Sequence, residues 1–102
     1  MVIYGEVTGM VYLEGDSSKI PQGRVVVCFY RSDKSLAGQA ISEADGSFDL
    51  TGLAPGKYTA EISPGQLEKL HMSCRPRTLP FKISAKKDGD VAEGLEFILQ
   101  LH

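Results

Sequence analysis

The stretch Glu43–Gly65, "EADGSFDLTGLAPGKYTAEISPG", decides the fold. It punctuates two strand-like runs, first with Asp45-Gly46, then with Leu53-Ala54-Pro55-Gly56, then with Ser63-Pro64-Gly65. Between these breaks Phe48 and Leu50 share one face, and Tyr58, Ala60 and Ile62 alternate against Thr59 and Glu61. Alternation of period two between turn signals is the pattern of half-buried strands. Asp45-Gly46 predicts a hairpin, because glycine enters positive φ without steric cost. In "GLAPG", Pro55 presets φ and Gly56 is expected at the left-handed position of a type II turn.

After Ser63 the period changes. Ser63 reads as a helix cap, Pro64 suits the first helical position, and Gln66 completes an S-x-x-Q capping box. Leu67 and Leu70 then share a face. One short helix is expected near residues 64–70.

Working outward, "VIYGEVTGMVYLEG" sets Val7, Gly9, Val11 and Leu13 against Glu6, Thr8, Met10 and Tyr12. That is a half-buried strand in which Gly5 and Gly9 mark bulges or close backbone approaches. "DSSKIPQG" reads as a loop, and "RVVVCFYR" is apolar on both faces, so it belongs mid-sheet or under a loop. "SDKS" turns the chain into a weaker strand, "LAGQAIS". "HMSCRPRTLP" reads as irregular, "FKISA" as a short strand and "KKDGD" as a polar loop. The final run "GLEFILQLH" places Leu95, Phe97, Leu99 and Leu101 on one face. The expectation is an all-β, seven-stranded, two-sheet sandwich. Its predicted core is Val7, Val11, Leu13, Val25, Val27, Phe29, Phe48, Leu50, Leu53, Tyr58, Ile62, Phe81, Ile83, Leu95, Phe97 and Leu99.

Residues 1–102 make one domain, since a chain this short has no room for a second core. A formal charge of −2 argues against a broad nucleic-acid surface. No apolar run approaches the roughly 18 residues that span a bilayer, so membrane insertion by this domain is not expected. Two cysteines are too few for a disulfide framework. Cys28 reads as a small buried hydrophobe. Cys74 lies among polar and basic residues, where His71 three positions away is a weak case for a nucleophile.

"GEVTGMVYL…KIPQGRVVVCFY…AISEADGSFDLTGLAPGKYTAEI" resembles the carboxypeptidase regulatory-like domain. The shared features are a G-x-V opening, a P-x-G-x-x-V second strand, a D-G-x-F hairpin and an L-x-P-G-x-Y turn. They run in order through nearly the whole chain. The resemblance implies a transthyretin-like (prealbumin-like) Greek-key sandwich. It also implies a non-catalytic module cut from a larger exported or cell-surface protein, bacterial surface proteins among them. Such a module acts as a spacer or docks on neighbouring domains of its parent or on a surface protein.

Enzymes and crosslinked domains on similar sandwiches leave traces that are missing here. Hydroxyisourate hydrolases end in Tyr-Arg-Gly-Ser, whereas this chain ends in "LQLH". Intradiol dioxygenases hold iron with two tyrosines and two histidines, and here the histidines are His71 and the terminal His102. Collagen-adhesin B-type domains are similar too, with Glu61 in the place of their buried acid. Their lysine–asparagine bond needs an asparagine, which this chain lacks, and its first strand carries no lysine. No catalytic, cofactor or metal residues are assigned. Glu43, Asp45 and Asp49 read as solvated turn acids rather than the six to eight oxygens calcium takes.

The segment "EKLHMSCRPRTLPFK" stands apart, with four cations against one acid in a chain of net negative charge. Lys69, His71, Arg75, Arg77 and Lys82 are therefore the candidate contact for an acidic partner. The rival to a structural module is a carbohydrate-binding module, which would need exposed aromatic platforms.

Overall fold

The computed structural model describes residues 4–15, 17–85 and 89–101. The strand β1 (Gly5–Glu14) organises one sheet. Along one side it pairs in parallel with β9 (Val91–Leu101). Along the other it pairs antiparallel with β5 (Ser47–Leu53) over its first half and with β2 (Lys19–Pro21) over its last residues. The strand β7 (Met72–Arg75) closes this sheet outside β9. The second sheet is antiparallel, in the order β4 (Leu36–Ile41), β3 (Val26–Arg31), β6 (Gly56–Ile62), β8 (Leu79–Ile83). One helix, α1 (Pro64–Leu70), follows β6.

Strand alternation builds the core directly. On β1, Val7 and Val11 are fully buried, and on the neighbouring β9 the buried Phe97 lies beside Val11 and the buried Leu99 beside Leu13. The opposite sheet supplies Val27, Phe29, Tyr58, Ala60, Ile62 and Ile83. Phe29 meets the edge of Phe81 at 6.0 Å and Tyr58 stacks on Phe81 at 5.4 Å. Aromatic pairs at such distances add about 0.5–1.5 kcal/mol beyond area burial. Every residue of the predicted core lies in this cluster, with Leu13, Leu50, Phe81 and Leu95 at its partly buried margin.

The all-β sandwich with a single helix at 64–70 is as expected, but among the described residues there are nine strands rather than seven. Both additional strands come from stretches read as loop or irregular. β2 is three residues long, too short for any period, and forms because β1 outruns β5 and leaves Tyr12–Glu14 free to pair. β7 forms because Met72 and Cys74 turn inward beside Leu101 and Leu99 of β9. Cys74 is consequently buried, not among the surface polar residues. Most of "KKDGD" lies outside the described residues, as do Asp16 and His102.

The first two breaks in Glu43–Gly65 are crossovers between sheets. Asp45-Gly46 joins β4 to β5, which belong to different sheets, so the predicted hairpin is instead a sheet-to-sheet turn. Its local chemistry is as read: Gly46 has φ 83°, and the Asp45 carboxylate accepts from the Ser47 backbone N–H at 2.9 Å and from its hydroxyl at 2.6 Å. In "GLAPG" the left-handed glycine is Gly52, at φ 80°. Gly56, at φ 159°, is close to extended and begins β6, which corrects the type II assignment.

The capping box is also corrected. Pro64 does start the helix, but Ser63 makes no side-chain cap and Gln66 points to β3 instead. Leu67 packs on the core margin while Leu70 is exposed, because His71 at φ 54° ends the helix within two turns. Leu101 is exposed as well.

Gly9 is a close approach, as predicted. A Cβ there would lie 2.4 Å from Phe48 Cζ and 2.5 Å from the Leu95 carbonyl oxygen. The β1–β9 register shifts beside it, between Val7 and Gly9, and the β1–β5 register shifts at Gly5.

Candidate interaction surfaces

The five candidate contact residues do not form one patch. Lys69 lies in the last turn of α1, where a cation complements the helix dipole. His71 is the exposed left-handed cap of that helix, its backbone N–H donating to the Glu68 carbonyl at 3.2 Å. Arg75 ends β7 and Arg77 follows it, both exposed. Lys82 is in the other sheet, on β8, directly opposite Lys57 of β6. Sequence proximity grouped it with the rest, and strand pairing separates it.

One of the four remaining residues is already engaged. Arg75 Nη2 reaches Glu14 Oε1 at 3.0 Å, and the Gln100 amide donates to the other oxygen of the same carboxylate. This node ties the ends of β1, β7 and β9. A second node sits on the outer face of the same sheet, where Lys19 Nζ pairs with Glu96 Oε1 at 2.6 Å and lies 4.9 Å above the Tyr12 ring. Glu96 raises the pKa of Lys19, chiefly through this hydrogen bond.

Between α1 and β7 runs a cleft of about 770 Å³. Leu67, Met72 and Cys74 form its apolar floor, and Glu61, Glu68 and Arg77 supply its charge. Glu61 thus faces outward from β6, not into the core. Cys74 lines the cleft, where burial pushes its thiol up to about 11, away from the thiolate a nucleophile needs, and its Sγ donates to the Pro76 carbonyl at 3.4 Å. Cys28 and Cys74 are both free thiols.

Among the tyrosines, Tyr4 is exposed and Tyr30 half-buried, while the other two are engaged. Lys19 covers Tyr12, and Tyr58 is buried with its hydroxyl donating to the Ala54 carbonyl. Tyr58 is the third residue of β6, and His71 follows α1. No three of His, Cys, Asp and Glu gather to hold a metal ion among the described residues. No helix among them is long and apolar enough to cross a membrane.

No protein-family model and no curated protein matches the chain. Solved structures do. The minor pilin of Streptococcus agalactiae superposes with a TM-score of 0.75 at 13% identity, over 99% of this chain and 46% of its own. The major pilin subunit of Bacillus cereus gives 0.65 at 16% identity, over 93% of this chain and 29% of its own. The dioxygenase domain of a dioxygenase carbohydrate-binding protein fusion from Streptomyces sp. SirexAA-E gives 0.58 at 17% identity, over 100% of this chain and 82% of its own. The chain spans less than half the length of either pilin. Likeness at these identities speaks for architecture alone. The chain is a two-sheet β-sandwich of the kind that pilin domains contain.

Proposed function

We propose that this chain is a non-enzymatic module of an exported or cell-surface protein, of the carboxypeptidase regulatory-like kind, acting as a load-bearing spacer and docking unit. The parallel pairing of β1 with β9 carries this reading. Glu6 lies beside Val91 at one end of the ladder and Leu13 beside Leu99 at the other. A chain entering through β1 and leaving through β9 therefore does so at opposite ends of the sheet. The body is elongated, at 47 × 25 × 18 Å. Ten residues of β1 span ~30 Å at ~3.3 Å per residue. Neighbours attached on either side would be held apart along that body.

The same pairing sets the response to tension. Pulling the two ends apart slides β1 along β9, so their hydrogen bonds are loaded together in shear. Antiparallel terminal strands would instead open one bond at a time from the end. The pilin likeness supports a structural setting of this kind, and against the dioxygenase likeness stands a chain with only two histidines, His71 and His102.

Single-molecule pulling through the two termini tests the spacer role. Unfolding should need clearly more force than pulling the same domain between Gly5 and Val91, where the pair unzips. Equal forces in the two geometries would remove the load-bearing reading. For docking, reversing Lys69, Arg75 and Arg77 to Glu should weaken capture of an acidic neighbouring domain and make it less salt-sensitive. Fold stability should change by only about 0–1 kcal/mol per exposed pair lost.

A further inference from the structure

We propose that the free edge of β4 pairs antiparallel with the same edge of a second copy of this chain, extending the four-stranded sheet across a two-fold axis. Sheet edges ordinarily carry a charge or a proline, which discourages pairing with another chain. The other edge strands here do so: β8 has Pro80 and Lys82, β2 has Lys19 and Pro21, β7 has Arg75, and β5 has Asp49. β4, "LAGQAI", has neither.

Its unpaired backbone groups can be assigned. The Ser42 N–H donates to the Val25 carbonyl at 2.9 Å, so Ser42 faces β3. By alternation Ala40 and Gly38 face β3 as well, leaving Gln39 and Ile41 to point outward from the edge. The one irregularity, between Phe29 and Tyr30, affects only the Leu36 end and leaves Gly38–Ile41 regular. Leu36 and Ile41 are 49% and 63% exposed, beside half-buried Val26 and Tyr30 on β3.

Charge selects the occupant. At the start of β4 Arg31 and Lys34 outnumber Asp33, and at its end Glu43 and Asp45 outnumber Arg24, whose N–H donates to the Ser42 carbonyl at 2.8 Å. In an antiparallel pair the basic end of each copy meets the acidic end of the other, twice by symmetry, and the uncharged strands between them do not repel. This inference is independent of the spacer reading.

Sedimentation velocity of the chain over a wide concentration range tests it. A reversible dimer is expected. Gln39→Pro removes an outward N–H and should abolish the dimer, as should Ile41→Lys at an exposed position. Lys34→Glu should weaken it, and adding Glu43→Lys should restore it. If Gln39→Pro fails to fold, Ile41→Lys alone decides. A chain that stays monomeric throughout, or a dimer that survives Ile41→Lys, overturns the proposal.

Discussion

The carboxamide of Gln66 continues the sheet where β6 stops. Its Oε1 accepts the Val26 N–H at 2.8 Å, and its Nε2 donates to the Arg24 carbonyl at 2.9 Å. Just before it, the Ser63 N–H donates to the Val26 carbonyl at 2.9 Å. A primary amide offers the same donor and acceptor as a peptide unit. The first turn of α1 thus takes the place of strand residues at this end of β3, and it fixes how the helix sits on the sandwich.

Gln66→Ala should therefore cost about 1–3 kcal/mol, the penalty for leaving the part-buried Val26 N–H without a partner. Gln66→Glu should recover much of that, since it keeps the acceptor for the Val26 N–H and loses only the exposed donor to Arg24. Urea denaturation of the three proteins measures this. A midpoint unchanged in Gln66→Ala would mean that water replaces both bonds at no cost.

Glycine substitutions should differ in sign according to their surroundings. Gly9→Ala forces a methyl against Phe48 and the Leu95 carbonyl, an overpacking cost of about 1–3 kcal/mol. Gly46→Ala combines φ 83° with a Cβ 2.6 Å from the Val11 carbonyl oxygen and should be comparably destabilising. Gly65→Ala meets nothing within 4 Å and sits in α1, so it should stabilise by about 0.5–1 kcal/mol. Thermal melts that rank the three alike would contradict the packing described here.

Cys74 should resist alkylation in the folded protein at mildly alkaline pH. Burial raises its thiol to about 11, so little thiolate exists to react. Mass spectrometry after brief iodoacetamide treatment should find Cys74 unmodified in buffer and fully modified in denaturant. Rapid labelling of the native protein would mean that β7 opens readily.

Asp45 gives the turn at Gly46 an acid-sensitive contribution. Hydrogen bonds from the Ser47 hydroxyl and backbone N–H lower its pKa from 3.8. A lowered folded-state pKa contributes stability that is fully present above the unfolded value and is lost as pH falls through the folded one. Asp45→Ala should thus melt below wild type at neutral pH, and the gap should narrow as the pH drops beneath 3.8. A gap that stays constant across that range would assign the effect to something other than the carboxylate charge.

Much of the core was legible in the sequence because each inward residue of a strand is two positions from the next. Val7 and Val11, Phe48 and Leu50, and Phe97 and Leu99 need no partner to be recognised. β2 and β7 were not legible, since three and four residues carry too little periodicity to stand out. The candidate contact site was read from a run of charge along the chain. Lys82 then separates from Lys69, because β8 belongs to a different sheet from β7.

The sequence by itself determined the alternating faces, a turn at Asp45-Gly46 and another within Gly52–Gly56, and the helix at Pro64. These depend on φ, on side-chain volume and on neighbours one to four residues away. Only the tertiary structure decided that the turn at Gly46 crosses between sheets, that Gln66 bonds β3 rather than Ser63, and that β1 lies parallel to β9. Each of these pairs groups whose identity is visible in the sequence but whose partner is not. Partner choice is settled by which apolar faces pack together, and that depends on the whole chain at once.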